Sequence, residues 1–294
     1  MTRSELKARA KPAFGVLGRA LGRLWGRDVM LYTGGVCFFA LLAVFPAISL
    51  LIGFYKVVLT TGQATAQAAA LGDVIPHAAR GIFENEVVRL TDASARTVTA
   101  QSALALIIGA YAAHRGFKAL LAGLTFIHDE PEPLGFLKFN LLAFVVALAA
   151  FALFTVVSGA VLTSRILEET SPIHPFQSVG LDLEWLWASV GLAFGLSALY
   201  RYAMSHSGPV IWLAAVGGGV AASLLFVGAS WACAFYVEQI VELGATYGSV
   251  GAVVVFLIWL SWNVNAVFFG GALATEIEIA LDKYRGAQAV TDPG

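Results

Sequence analysis

Six stretches of apolar residues, each about long enough to cross a lipid bilayer, constrain this chain more than any other feature. They run Val29–Tyr55, Val98–Leu121, Phe139–Thr163, Trp185–Met204, Val210–Tyr236 and Val250–Thr275. A helix rises ~1.5 Å per residue, so ~20 apolar residues cover the ~30 Å hydrocarbon core. The polar connections between them are short and leave no room for a separate soluble catalytic domain. The chain is 59% hydrophobic and 13% charged, where a soluble domain is about half apolar and about a quarter charged. The expected fold is all-α, a polytopic membrane bundle of six transmembrane helices with an N-terminal and an exterior amphipathic helix. Residues 1–28 form the N-terminal segment, 29–276 the membrane domain with its exterior loop 59–96, and 277–294 a tail.

Lysine and arginine set the expected orientation. Alternating loops put 13 of the 18 on the side that holds both termini, seven of them before the first span, and five on the other. The positive-inside rule then places both termini in the cytoplasm. The charged leader is too long, and the span after it too apolar and long, for a cleavable signal peptide. A net charge of -1 argues against nucleic-acid binding, which takes a concentrated basic face. Membrane lipids are the expected partners. Cys37 and Cys233 sit inside apolar spans as packing residues, and the sequence carries no zinc-ligand spacing and calls for no cofactor.

Residues Pro12–Arg27 read as an amphipathic helix. Phe14, Leu17, Leu21, Leu24 and Trp25 fall on one face and Arg19, Arg23 and Arg27 on the opposite one, as suits a headgroup layer of anionic lipid. Gly18, Gly22 and Gly26 make a stripe along its flank that would allow close packing. In the first span Pro46 lacks an amide hydrogen and predicts a kink or a break, either plain bending or a discontinuous helix beside a substrate path. In the exterior loop, Pro76 precedes Ile82, Phe83, Val87 and Leu90 at helical spacing.

The second span is interrupted by His114, Arg115 and Lys118. Either the membrane ends near Arg115 and the helix continues into the cytoplasm, or these cations sit within the protein. The fifth span carries small residues four apart, Gly218 with Ala222 and Gly219 with Ser223, and the sixth a stripe through Gly270. Such stripes are packing faces, because lipid supplies no hydrophobic drive between helices. Polar residues expected at membrane depth or near its edges are Lys56, His114, Arg115, Asn140, Asn263, Asn265 and Glu276, which would line a cavity or pair with each other.

The run Tyr247-Gly248-Ser249-Val250-Gly251 followed by Phe256-Leu257-Ile258-Trp259-Leu260-Ser261-Trp262 resembles the signature of the BrkB/YihY family of bacterial inner-membrane proteins. Gly34–Pro46 is similar to that family's first helix, Pro76 to the lead into its exterior helix, and Gly218–Tyr236 to its fifth helix. The chain departs from the pattern at Ala43, at Thr125, Ile127 and His128, and at Gly270-Gly271-Ala272, where a Gly-Ala-Glu is usual. Glu276, one turn further on, is either a displaced substitute for that carboxylate or the first acid after the span. The resemblance implies a divergent member with an envelope-associated, transporter-like role.

The family's legacy label, ribonuclease BN, finds no support in the residues. A metal-dependent nuclease clusters carboxylates or histidines, whereas His77, His114, His128, His174 and His206 are scattered over different segments. No enzymatic activity is expected, and no phosphate-binding loop is present for an ATP-driven pump. Two function classes remain: a transporter or lipid-handling protein for an unknown solute or lipid, and a structural or envelope-assembly protein that uses the same asparagines as glue between helices.

Overall fold

The computed structural model describes residues 15–25, 28–58, 100–129, 134–170, 183–205, 208–239 and 250–291. The expected exterior helix in 59–96 and the loop 171–182 lie outside them. Seven helices make up the described residues, and no strand is among them: α1 Gly15–Trp25, α2 Met30–Val58, α3 Ala100–His128, α4 Phe136–Thr170, α5 Leu183–Ala203, α6 Trp212–Gln239 and α7 Gly251–Thr291. Helices are what apolar segments of this length must form in lipid, because nothing there satisfies a backbone amide except the segment itself.

Among the described residues, three helices are long and apolar enough by themselves to cross a membrane, over Phe136–Ala160, Trp212–Tyr236 and Gly251–Arg285. A fourth candidate joins Gly15–Trp25 to Met30–Val44 across a 70° bend. This is fewer than the six spans expected. The difference lies in α3, which His114, Arg115 and Lys118 interrupt, and in the shorter α5, which mixes Ser189, Ser197, Tyr200 and Arg201 with its aliphatic residues. Asp28, in the break between α1 and α2, has a left-handed φ of 52°, a conformation aspartate tolerates better than most residues.

Sequence neighbours pack as neighbours in space, α2 on α3, α3 on α4, α4 on α5, α5 on α6 and α6 on α7, and α7 closes the ring against α2. Helix α7 also touches α3 and α5, so it is the central helix. Helix α4 is peripheral, with Phe144, Leu148, Phe151 and Phe154 exposed. The best-buried part of the core lies where the ends of α3 and α5 and the start of α6 meet the middle of α7. Leu121, Leu124, Ile127, Tyr200, Met204, Val210 and Phe268 are all inaccessible or nearly so there.

Two expectations about helix ends change. The sixth helix does not stop near Thr275 but runs on to Thr291, through most of the segment expected as a tail. Helix α2 continues through Pro46 with no break. The proline ring instead fills the notch at Gly109 of α3, where any side chain would collide with it.

Candidate functional site

Glu276 is the most constrained polar residue of the bundle. Its position follows from α7 running past the apolar core, which carries the carboxylate to the α1 end of the molecule with 4% of its surface exposed. Arg19 Nε donates to Oε2 and Arg23 Nε to Oε1, each at 2.6 Å. Both donors come from α1, four residues apart and so on one face. Arg23 Nη1 also donates to Ile127 O at 3.0 Å and to Asp129 Oδ2 at 2.7 Å. It therefore places a cation at the C-terminus of α3, where a last-turn carbonyl has no helical partner and the helix dipole favours positive charge.

This geometry corrects the expectation that the arginines of α1 turn toward anionic lipid. Arg19 and Arg23 point into the bundle, because Ala20 and Leu24 beside them are the residues of α1 that pack on the core, and Glu276 waits at the edge of that contact. The apolar stripe Leu17, Leu21 and Trp25 is exposed instead, Trp25 to 83%. Gly18 and Gly22 face open space rather than a neighbouring helix, and Gly26 lies outside the described residues.

Around this clamp the same end of α7 holds two more helices. His128 Nδ1 lies 3.1 Å from Thr275 Oγ1, and its Nε2 is 3.9 Å from Glu278. Glu278 Oε1 accepts the backbone N–H of Ile211 at 3.0 Å, capping the start of α6. Tyr200 of α5 donates its hydroxyl to Val267 O at 2.6 Å. The stretch of α7 from Val267 to Glu278 thus ties α1, α3, α5 and α6 together.

The polar residues singled out from the sequence are not brought to a common place. Asn263, 2% exposed, accepts from Ser230 Oγ of α6 at 3.2 Å, and Trp259 Nε1 donates to that same hydroxyl at 3.0 Å. Asn265 faces the other way and accepts from Thr33 Oγ1 of α2 at 3.3 Å. Two residues apart is about 200° around a helix, so the pair must meet different neighbours. His114 Nε2 and Lys118 Nζ both reach Asn140 Oδ1, at 3.3 and 2.8 Å, joining α3 to α4. Arg115 is exposed, with its guanidinium over the Phe39 ring. Lys56 lies in the last turns of α2, and its side chain is outside the described part. Among the described residues no group of three His, Cys, Asp or Glu side chains could hold a metal ion.

The small-residue faces are contact faces in this arrangement. A Cβ on Gly218 would meet Gly270 O and lie 2.8 Å from Ala274 Cβ, and one on Gly219 would meet Ser197 Oγ and lie 2.8 Å from Ala193 O. Ala222 and Ser223 continue the two seams, against α7 at Gly270 and by a hydrogen bond from Ser223 Oγ to Ser189 O of α5. Sequence reasoning named both His114 and Asn140 but missed Arg19, Arg23, Thr33, Asp129, Ser230 and Glu278 as partners of Glu276, Asn263, Asn265 and their neighbours. The signal for the first two was present in their spacing, since a membrane-depth carboxylate needs cations within reach.

A family model described as Virulence factor BrkB matches residues 20–293. The chain belongs to that family. The matched region takes in Arg23, Glu276 and helices α2 to α6 and begins one residue after Arg19, so the architecture described above is that of a BrkB-family protein. The chain is also similar to YfkH of Bacillus subtilis strain 168, a protein named as ribonuclease-like, with 24% identity over 173 residues. That alignment covers 57% of this chain and 62% of the relative's length. No solved structure matches. Family membership and the long apolar helices together support an integral membrane protein.

Proposed function

We propose that this BrkB-family protein spans the inner membrane six times with both termini in the cytoplasm, and that it moves a solute or lipid along a path beside α7. The observation that carries the reading is the clamp of Arg19 and Arg23 on Glu276. A buried ion pair is a poor way to gain stability, since apolar residues of the same volume do as well or better. It is a good way to hold an element that must also let go. Helix α1, exposed along Leu17, Leu21 and Trp25 and fastened to the central helix by charge, has the form of a cytoplasmic gate. The protein on this reading is not an enzyme, and the ribonuclease-like name stays with its relative.

The second reading, a structural or assembly protein, is favoured by the pairing of Asn263 with Ser230 and of Asn265 with Thr33, which leaves each asparagine bonded to a neighbouring helix. One experiment separates the two. Cysteine is placed at 263 or 265 in a background lacking Cys37 and Cys233, with and without Arg23→Ala, and probed with a membrane-impermeant thiol reagent. A gated path predicts labelling that rises when the clamp is cut. Complete protection at both positions in both backgrounds selects the structural reading.

A further inference from the structure

We infer that the outward face of α3, between α2 and α4, binds the phosphate headgroup of an anionic phospholipid in the cytoplasmic leaflet, through Arg115 and Lys118. On α3 the exposed stripe begins apolar, with Leu104, Ile107, Ile108 and Tyr111 all open. One turn beyond Tyr111 the same stripe becomes cationic: Arg115 is exposed and Lys118 half-buried. Three residues apart on a helix, the two charges are neighbours on one face. Phe136 and Leu137 of α4 are 81% and 79% exposed beside them. An apolar face that turns cationic within one turn, flanked by exposed rings, is the pattern of a membrane–water boundary.

What singles this place out is the missing counter-charge. The clamp at Glu276 neutralises its own arginines, but among the described residues no carboxylate pairs with Arg115 or Lys118. Arg115 has the Phe39 ring at 5.5 Å, and Lys118 has Asn140 Oδ1 at 2.8 Å and the Phe136 ring at 4.9 Å. These contacts orient both cations and neutralise neither. An ammonium with three donors keeps capacity after one bond to an amide, and a guanidinium over a ring keeps its whole N–H edge. Behind them His114 holds the same Asn140 through Nε2, while its buried Nδ1 has no partner. Two fixed cations at headgroup height, with an aliphatic stripe running from them toward the bilayer centre, match a molecule with a phosphate at one end and acyl chains at the other. Anionic headgroups attract such cations by about 1 kcal/mol each, which is roughly fivefold in binding per charge.

The site rests on the topology proposed above, which reporter fusions test independently. The experiment is native mass spectrometry of the purified full chain in detergent, with phosphatidylglycerol or phosphatidylcholine added at equal concentration. The expected result is retention of phosphatidylglycerol well above phosphatidylcholine. Arg115→Gln with Lys118→Gln should reduce that retention by at least tenfold, while Lys283→Gln with Arg285→Gln, a charge-matched change elsewhere, leaves it unaltered. Arg115→Lys with Lys118→Arg should restore most of it. Equal retention of the two lipids by the unaltered protein overturns the inference without any variant having to fold. Displacement of phosphatidylglycerol by millimolar inorganic phosphate also overturns it, by making the site one for free phosphate.

Discussion

Gly218 and Gly270 meet where α6 crosses α7, so closely that a Cβ on Gly270 would lie 2.7 Å from Gly218 O and 2.5 Å from Ala222 Cβ. The contact is reciprocal, and it sits on the interface between the central helix and the partner it packs against most extensively. In lipid such an approach is itself the source of association, since van der Waals packing replaces the hydrophobic drive that water would supply.

Replacing Gly218 or Gly219 with leucine should therefore lower thermal stability in detergent, by ~1–3 kcal/mol or more from overpacking. Gly228 lies on the same helix with nothing around it. Leucine there should not lower the melting temperature, since leucine is the better helix former, and a loss equal to that at Gly218 would show that added bulk anywhere on α6 rather than the seam is being measured.

Removing the charge of Glu276 takes from Arg23, whose side chain is only 16% exposed, the carboxylate on its Nε and leaves it Asp129 and Ile127 O. Glu276→Gln should cost about 3 kcal/mol, as breaking one partner of a buried pair does. Arg23→Ala should cost nearly as much, because it also uncaps Ile127 O. Arg19, 54% exposed, should cost at most about 1 kcal/mol as alanine, in keeping with exposed pairs. Thermal unfolding of the three variants checks the order, and equal losses at Arg19 and Arg23 contradict it.

A double-mutant cycle on Ser230→Ala and Asn263→Ala should return a coupling of about 0.6 kcal/mol, with about 1.7 as an upper limit for such bonds in membranes. Thr33→Val with Asn265→Ala should behave alike. Combining Asn263→Ala with Asn265→Ala should instead be additive, because the two side chains share no partner. Non-additivity between them is the outcome that would place both in one network.

Reporter fusions give the orientation. Ends at Arg96 and Glu184 should read as exterior, and ends at Asp129 and Gly294 as cytoplasmic. An exterior reading at Gly294 reverses the topology, and matching readings at Arg96 and Asp129 remove α3 as a span.

The helical content was legible because it depends on local quantities. Length, apolarity and the need to satisfy a backbone amide in lipid act within one segment, and so do the stripes of small residues that mark α6 and α7 as packing helices. The partner of each stripe was not legible. Nothing near Gly219 in the chain says that its face meets Ser197 and Ala193, whereas that of Gly218 meets Gly270.

The charges show the same limit more sharply. Periodicity alone put Arg19 and Arg23 on one face of a short helix, and that part stands. Whether the face turned to lipid or to protein depended on a carboxylate 253 residues away in the case of Arg23. The 70° bend between α1 and α2 and the extension of α7 past Thr275 bring that carboxylate within reach. Sequence by itself determined that the long apolar segments are helices and which faces are small, apolar or charged, because these are properties of near neighbours. Tertiary structure alone decided that Glu276 is a clamp and that Asn263 and Asn265 look away from each other toward different helices. Electrostatic and hydrogen-bond partners are chosen by distance in space, which the order of residues along α1 and α7 does not contain.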